Sequence, residues 1–215
     1  MQGKSFQKIL IDKFPFETTE SQERGIIVIA EFLTRSNSNG ILLIKGYAGT
    51  GKTTLIGHLV RNLNWVNKKS VLLAPTGRAA KVLSSYAGRS AFTIHRKIYF
   101  SKSDSGRDGM KFILKRNEHK NTVFIVDESS MISNNRQQNQ FFENGSLLND
   151  LVNYVTNGDN CQLIFVGDTA QLPPVHLNLS PALSEEELEL QFNFDIQNIL
   201  LEDVVRQNSS SGILF

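Results

Sequence analysis

A single cysteine, Cys161, leaves the chain without any intramolecular disulfide. It stands beside the apolar run Leu163-Ile164-Phe165-Val166, where a buried and inert thiol is expected. No apolar run approaches the length of a membrane span, and no signal peptide is visible. The expectation is therefore a cytoplasmic protein with no membrane partner. Internal repeats and long low-complexity tracts are missing too. Cations are absent from Ser184 to Val205, a stretch with seven Asp/Glu, whereas Arg96 to Lys120 carries eight Lys/Arg against three Asp/Glu. The net charge of +2 hides this split. It suits one face that meets a polyanion and another that avoids it, though two solvated loops of opposite sign give the same count.

What is present is ordinary globular material. At 215 residues, 40% hydrophobic and 20% charged, the chain can bury one sizeable α/β core. Its organising stretch is Gly46-Tyr47-Ala48-Gly49-Thr50-Gly51-Lys52-Thr53, which satisfies the phosphate-loop pattern G-x-x-x-x-G-K-S/T at every fixed position. The run Ile41-Leu42-Leu43-Ile44 leads in as a buried strand. Leu55, Ile56, Leu59, Val60 and Leu63 follow at helical spacing. Glycines let backbone N–H groups turn toward a polyphosphate, and a helix N-terminus favours the anion. Lys52 is expected on the β/γ-phosphates of ATP and the Thr53 hydroxyl on Mg²⁺. The nucleotide set reads as Gly46, Gly49, Thr50, Gly51, Lys52, Thr53 and Thr54.

Upstream, Thr18 to Gln22 opens a helical pattern through Ile26, Ile29 and Leu33. Thr19-x-x-Gln22 is a capping box, and the cap is its simplest reading. The same amide can read adenine, because it donates and accepts at once. Downstream, Val71-Leu72-Leu73-Ala74, Val123-Phe124-Ile125-Val126 and Leu163 to Val166 read as further buried strands, with Ile199-Leu200-Leu201 a candidate fifth. Lys97 to Phe100 and Met110 to Leu114 flank a polar Gly/Ser/Asp segment and read as a hairpin insert spanning 97–116. Asn134 to Gln140 is a polar stretch before a helix carrying Leu147, Leu151 and Val155.

Polar, chemically loaded loops follow the first four strands. In a parallel sheet those strand ends share one edge, so Lys52, Thr76/Arg78, Asp127/Glu128 and Asp168/Gln171 converge. Asp127 is placed to hold Mg²⁺ with Thr53, and Glu128 to activate the attacking water as general base. Gln171 is either a γ-phosphate sensor or a turn residue before Pro173-Pro174. Alone, His95 reads as a core or turn residue. No spare carboxylate cluster remains for nuclease chemistry. An ATP-driven motor, a small-molecule kinase and a non-catalytic ATP switch all share such a loop. The adjacent Asp-Glu pair favours water as acceptor, and no acceptor-binding lid is visible.

The ordered set resembles the N-terminal motor domain of superfamily 1 DNA helicases, near the exonuclease V alpha subunit (RecD) and phage Dda-like group. Gly46–Thr53 is similar to Walker A, Asp127-Glu128-Ser129-Ser130-Met131 to Walker B, and Gly167 to Val175 to the third helicase motif. Ala74 to Ala80 and Thr93-Ile94-His95 resemble the strand-contacting motifs, and Val205-Arg206-Gln207 the motif whose arginine approaches the γ-phosphate. Thr19 to Gln22 resembles the adenine-reading glutamine motif, which moves Gln22 toward the nucleotide.

The resemblance implies a RecA-like α/β P-loop NTPase fold: a mostly parallel sheet, helices on both faces, and the hairpin where the family carries a strand-separating pin. It implies ATP hydrolysis through Lys52, Asp127, Glu128, Gln171 and Arg206. It also implies 5′-to-3′ movement on single-stranded DNA held by Thr76, Arg78, Thr93 and His95. Its partners are a second RecA-like domain and other recombination or repair subunits. Residues 1–215 are expected to be a single motor domain that stops nine residues after Arg206, as a fragment unable to unwind by itself.

Overall fold

Four apolar runs become strands because each is covered on both faces. In the computed structural model, which describes residues 2–35, 40–103, 110–132, 134, 145–168, 170–171 and 180–205, they are β1 (Gly40–Gly46), β2 (Lys69–Ala74), β6 (Thr122–Val126) and β7 (Gln162–Gly167). Two edge strands complete the sheet, β3 (Ala91–Thr93) and β8 (Asp195–Leu201). The order is β3-β2-β6-β7-β1-β8, and every pairing is parallel. Such strands read as continuous Val/Ile/Leu/Phe runs, since both faces of a parallel sheet are buried.

Alternate residues of one strand serve two cores. Leu42 and Ile44 of β1 point to one side, with Ile125, Ile164, Phe32 and Leu59. That side is covered by α1 (Gln2–Asp12), α2 (Glu20–Thr34), α3 (Lys52–Asn62) and α4 (Gly77–Ala87). Ile41 and Leu43 point to the other, with Phe124, Phe165, Ile98 and Leu151. There the cover is α5 (Ile94–Ile98), α6 (Leu147–Thr156) and α7 (Glu185–Phe192). The Cys161 thiol is buried and donates to the His119 carbonyl at 3.4 Å, and burial pushes its pKa up, as an inert thiol requires.

Three elements differ from the sequence reading. Helix α1, whose Phe6 and Leu10 face the core, lies ahead of the first pattern read. Lys97 and Ile98 are helical rather than the start of a strand: Thr93 caps α5 through the Arg96 N–H at 3.3 Å, and Ile94 and Ile98 bury one turn apart. The hairpin proper is therefore β4 (Tyr99–Ser103) against β5 (Met110–Leu114), antiparallel. Its tip lies outside the described residues, as does the polar stretch after Asn134. The fifth strand begins at Asp195, ahead of the apolar run, because only Ile196, Ile199 and Leu201 of this edge strand are buried.

Candidate nucleotide-binding and hydrolysis site

The loop between β1 and α3 depends on glycine at three points. Gly49 and Gly51 have φ of +81° and +82°, a region that costs an L-residue energy. A Cβ on Gly46 would sit 2.8 Å from the Leu201 carbonyl oxygen, and one on Gly51 would sit 2.5 Å from Gln22 Nε2. Gly51 is also the N-cap of α3 and supplies no side-chain cap, so the first N–H groups of the helix remain for an anion. Thr50 is buried, its hydroxyl donating to the Tyr47 carbonyl at 2.9 Å. Thr53 and Thr54 stand half-buried in the first helical turn.

Lys52 lies back along the loop, with Nζ donating to the carbonyls of Gly46 at 2.6 Å and Tyr47 at 2.8 Å. Burial lowers its pKa, while Asp168, Asp127 and Glu128 hold the charge in place. The lysine of one loop thus feels the acids of two others, at the edge where the parallel strands β1, β6 and β7 end.

Asp127 follows β6, its N–H donating to the Leu73 carbonyl of β2 at 2.9 Å. Burial pushes its carboxyl pKa up, and neighbouring Glu128 adds to that, against the Glu128 N–H bond at 3.0 Å and Lys52. Glu128 adopts φ +53°, a left-handed conformation that costs a non-glycine residue about 1–3 kcal/mol and clusters at functional sites. The turn is pinned on both sides. The Ser129 hydroxyl donates to the Val126 carbonyl at 2.8 Å, and the Ser180 hydroxyl donates to the Ser129 carbonyl at 3.1 Å. Gln171 bridges the acidic turn and the loop after β7. Its amide nitrogen donates to Glu128 Oε2 at 3.1 Å, and its oxygen accepts from the Ser130 hydroxyl at 2.6 Å. Asp168 is buried and accepts from the Ala170 N–H at 2.8 Å.

Gln22 does two jobs in this structure. The capping box is formed: Gln22 N–H donates to Thr19 Oγ1 at 3.3 Å, and Thr19 N–H to Gln22 Oε1 at 3.1 Å. Its Nε2 donates to the Thr50 carbonyl at 3.0 Å, and the side chain is 2% exposed. One Nε2 hydrogen and one Oε1 lone pair are thus used by the phosphate loop and the cap. The connector after β8 supports the same loop. Val205 N–H donates to the Gly49 carbonyl at 3.0 Å. Asp203 Oδ2 accepts from the Ser21 N–H at 2.9 Å, and Asp203 N–H donates to Ser21 Oγ at 3.4 Å. Neither Ser21 nor Asp203 stands out in the sequence. Arg206 lies outside the described residues.

At the β2–β3 edge, Ala74 and Thr93 are in register. Thr76 and Thr93 are helix caps, accepting from the N–H of Ala79 at 3.2 Å and of Arg96 at 3.3 Å, and each hydroxyl keeps its proton to donate. Arg78 is exposed. His95 is half-buried, with its ring 5.8 Å from Tyr99 and 5.4 Å from Phe112, and burial lowers its pKa. Beside this edge, an open groove of about 430 Å³ runs between α4 and β3, lined by Lys81, Ser84, Phe92, Thr93 and Arg96. Its cationic and hydroxyl lining suits phosphate.

Known proteins share this architecture. Residues 30–177 match the AAA domain family. The ATP-dependent RecD2 DNA helicase of Deinococcus radiodurans is 30% identical over 154 residues, which is 70% of this chain and 18% of that protein. The ATP-dependent DNA helicase dda of Enterobacteria phage T4 is 28% identical over 162 residues, 74% of this chain and 33% of that protein. The chain thus spans a third or less of these relatives. Among solved structures, the crystal structure of Pif1 helicase from Candida albicans superposes with a TM-score of 0.53 at 24% identity, over 89% of this chain and 41% of that one, a likeness of fold. With its phosphate loop, acidic turn and all-parallel sheet, the chain belongs to the AAA domain family, as a RecA-like motor domain of the superfamily 1, RecD/Dda-like type.

Proposed function

We propose that this chain binds and hydrolyses Mg·ATP as one of two RecA-like domains of a helicase that moves 5′-to-3′ on single-stranded DNA. The observation that carries the reading is the grouping of Lys52 with Asp127, Glu128 and Asp168 beside an uncapped helix N-terminus. Lys52 exchanges two loop carbonyls for the β/γ-phosphates, a move that needs only its side chain to swing. Glu128 accepts the proton of the attacking water, oriented by Gln171 from the side of the γ-phosphate. Thr53 and Asp127 offer hard oxygen donors that fit Mg²⁺. Among the described residues no group of three or more His, Cys, Asp or Glu could hold a metal alone, so water and phosphate oxygens would complete the shell of an ion held by Thr53 and Asp127. When bound there, the ion supplies positive charge against the phosphate oxygens.

Arg206 and an arginine from the second domain would complete the cleft, a contribution worth roughly 10³–10⁵ in rate in related phosphoryl-transfer sites. Arg78, the proton-bearing hydroxyls of Thr76 and Thr93, and His95 at their side form the DNA-facing edge, gripping backbone rather than bases. DNA-stimulated phosphate release, measured on a chain carrying both domains, tests the reading. A second assay follows unwinding of a 5′-tailed duplex, with a 3′-tailed one beside it. ATP turnover indifferent to DNA, or unwinding only from the 3′ tail, would count against it. These residues alone are expected to bind Mg·ATP weakly and to leave a duplex intact.

A further inference from the structure

From Phe32 to Ser103 the sequence holds 12 Lys/Arg and not one Asp or Glu. Part of this charge belongs to the phosphate loop and the DNA-facing edge. Another part, Arg61 and Arg89, lies beside the solvent crest of α4. Arg78, Val82 and Tyr86 succeed one another there at four-residue steps, which places them on one helix face about 6 Å apart along the axis. Ala80, Leu83 and Ala87 take the opposite face into the core. Helix α3 packs alongside and brings Arg61 to the crest, its Nη1 donating to the Tyr86 carbonyl at 3.5 Å. Arg89 follows the Gly88 cap and is exposed.

The crest presents two features to solvent. Among the described residues, Arg61, Arg78 and Arg89 form no ion pair. Tyr86 is 62% exposed and Val82 48% exposed, apolar surface that folding leaves in water. Cations spaced around an exposed aromatic ring are what an unstacked polynucleotide binds: guanidinium groups hold phosphates, and the ring takes a base face. A duplex offers phosphates but no free base face, and an acidic protein segment leaves the ring without a stacking partner. The crest also begins at Arg78, on the edge already assigned to DNA, and leads away from it down the flank of the domain.

We infer that the α4 crest, formed by Arg61, Val82, Tyr86 and Arg89, is a second track for single-stranded nucleic acid, continuing the strand beyond the Arg78 edge. The inference rests on the DNA reading of that edge. Its contacts are sequence-independent, and they lengthen the footprint of the domain rather than create the first grip.

The test measures binding of the 215-residue chain to labelled oligothymidylates, a short one of about 6 nucleotides and a long one of about 20. The long strand is expected to bind more tightly than the short one. Tyr86→Ala should lower long-strand affinity by about fivefold or more, the loss of one stacked base. Arg61→Ala and Arg89→Ala should each flatten the long-strand salt slope by about 0.7. None of the three should change short-strand affinity, and Tyr86→Phe should keep the long-strand value. If the short strand binds and length adds nothing, or if Tyr86→Ala weakens both lengths equally, the crest is not a track. Blunt duplex bound as tightly as the long strand, with the same dependence on Tyr86, would overturn the single-strand assignment. Binding of neither length removes the DNA reading of the edge along with this one.

Discussion

Gln171 holds Glu128 in place: its amide nitrogen reaches Glu128 Oε2 at 3.1 Å while its oxygen takes the Ser130 hydroxyl at 2.6 Å. The pair joins the loops after β6 and β7, so the carboxylate is aimed by a residue on a different strand. If Glu128 is the general base, Gln171 acts through it. Gln171→Ala, assayed with both motor domains present, should lower kcat by about 10–100-fold, the worth of a hydrogen bond to a charged group, with KM for ATP little changed. Ser130→Ala should do the same more weakly. A rise in KM at constant kcat would assign Gln171 to ground-state nucleotide binding instead.

Replacing the base itself is a sharper case. Glu128→Gln should preserve nucleotide binding and cut turnover by about 10²–10⁴-fold. Lys52→Ala should weaken binding as well, because it removes a charge that touches ground-state phosphates. Fluorescent-nucleotide titration with steady-state phosphate release separates the two effects. Turnover at the parent rate in Glu128→Gln would remove the residue from the chemistry.

Two glycines should behave oppositely. Gly51→Ala forces an L-residue into φ +82° and brings a Cβ to 2.5 Å from Gln22 Nε2, so a loss of about 1–3 kcal/mol is expected, together with nucleotide affinity. Gly77, in the first turn of α4, has nothing within 4 Å of its would-be Cβ. Gly77→Ala should be neutral or stabilising by up to about 1 kcal/mol. Urea denaturation of the two variants reads the contrast directly.

Acid should loosen the packing of α1 on α3. His58 is buried, with Nε2 at 2.9 Å from the Leu10 carbonyl, and burial lowers its pKa. The unfolded chain, with an imidazole pKa of about 6.5, therefore takes up the proton first. Stability is intact above that value, falls as pH drops through it, and levels off below the folded-state pKa. His58→Gln keeps a donor for Leu10 and does not titrate at this site. Its urea midpoint should decline less between about pH 7.5 and 5.5 than that of the parent. Identical declines would place the pH dependence elsewhere.

Arg78 faces solvent at the edge proposed to meet DNA. Arg78→Ala should weaken short-strand binding about equally for different base compositions and flatten the salt slope by about 0.7. Loss confined to one sequence would mean that the guanidinium reads a base.

The central strands were legible because burial on both faces leaves an uninterrupted apolar run, as in Val123 to Val126. Edge elements lack that signature. Ala91-Phe92-Thr93 is a strand only because Leu72, Leu73 and Ala74 pair with it, and α7 buries one residue, Leu188, among its glutamates. The phosphate loop and the Asp127–Glu128 pair could be read locally, since their chemistry is contiguous in sequence. The Gln171–Glu128 bridge could not, because its partners lie 43 positions apart. Asp203 was hidden more deeply: within an acidic run it looked like surface charge, and its partner Ser21 lies 182 positions away.

The position of β8 bears on how the protein is made. Gly46 packs against the Leu201 carbonyl, and Val205 holds Gly49, so the second-strand neighbour of β1 is the last strand described. Between Gly46 and Val205 the ribosome adds 205 − 46 = 159 residues, which takes about 10–30 s at typical elongation rates. Throughout that interval the phosphate loop has been synthesised without the connector that shapes it. The final shape of the loop is thereby set only once the edge strand β8 and the residues after it have been synthesised.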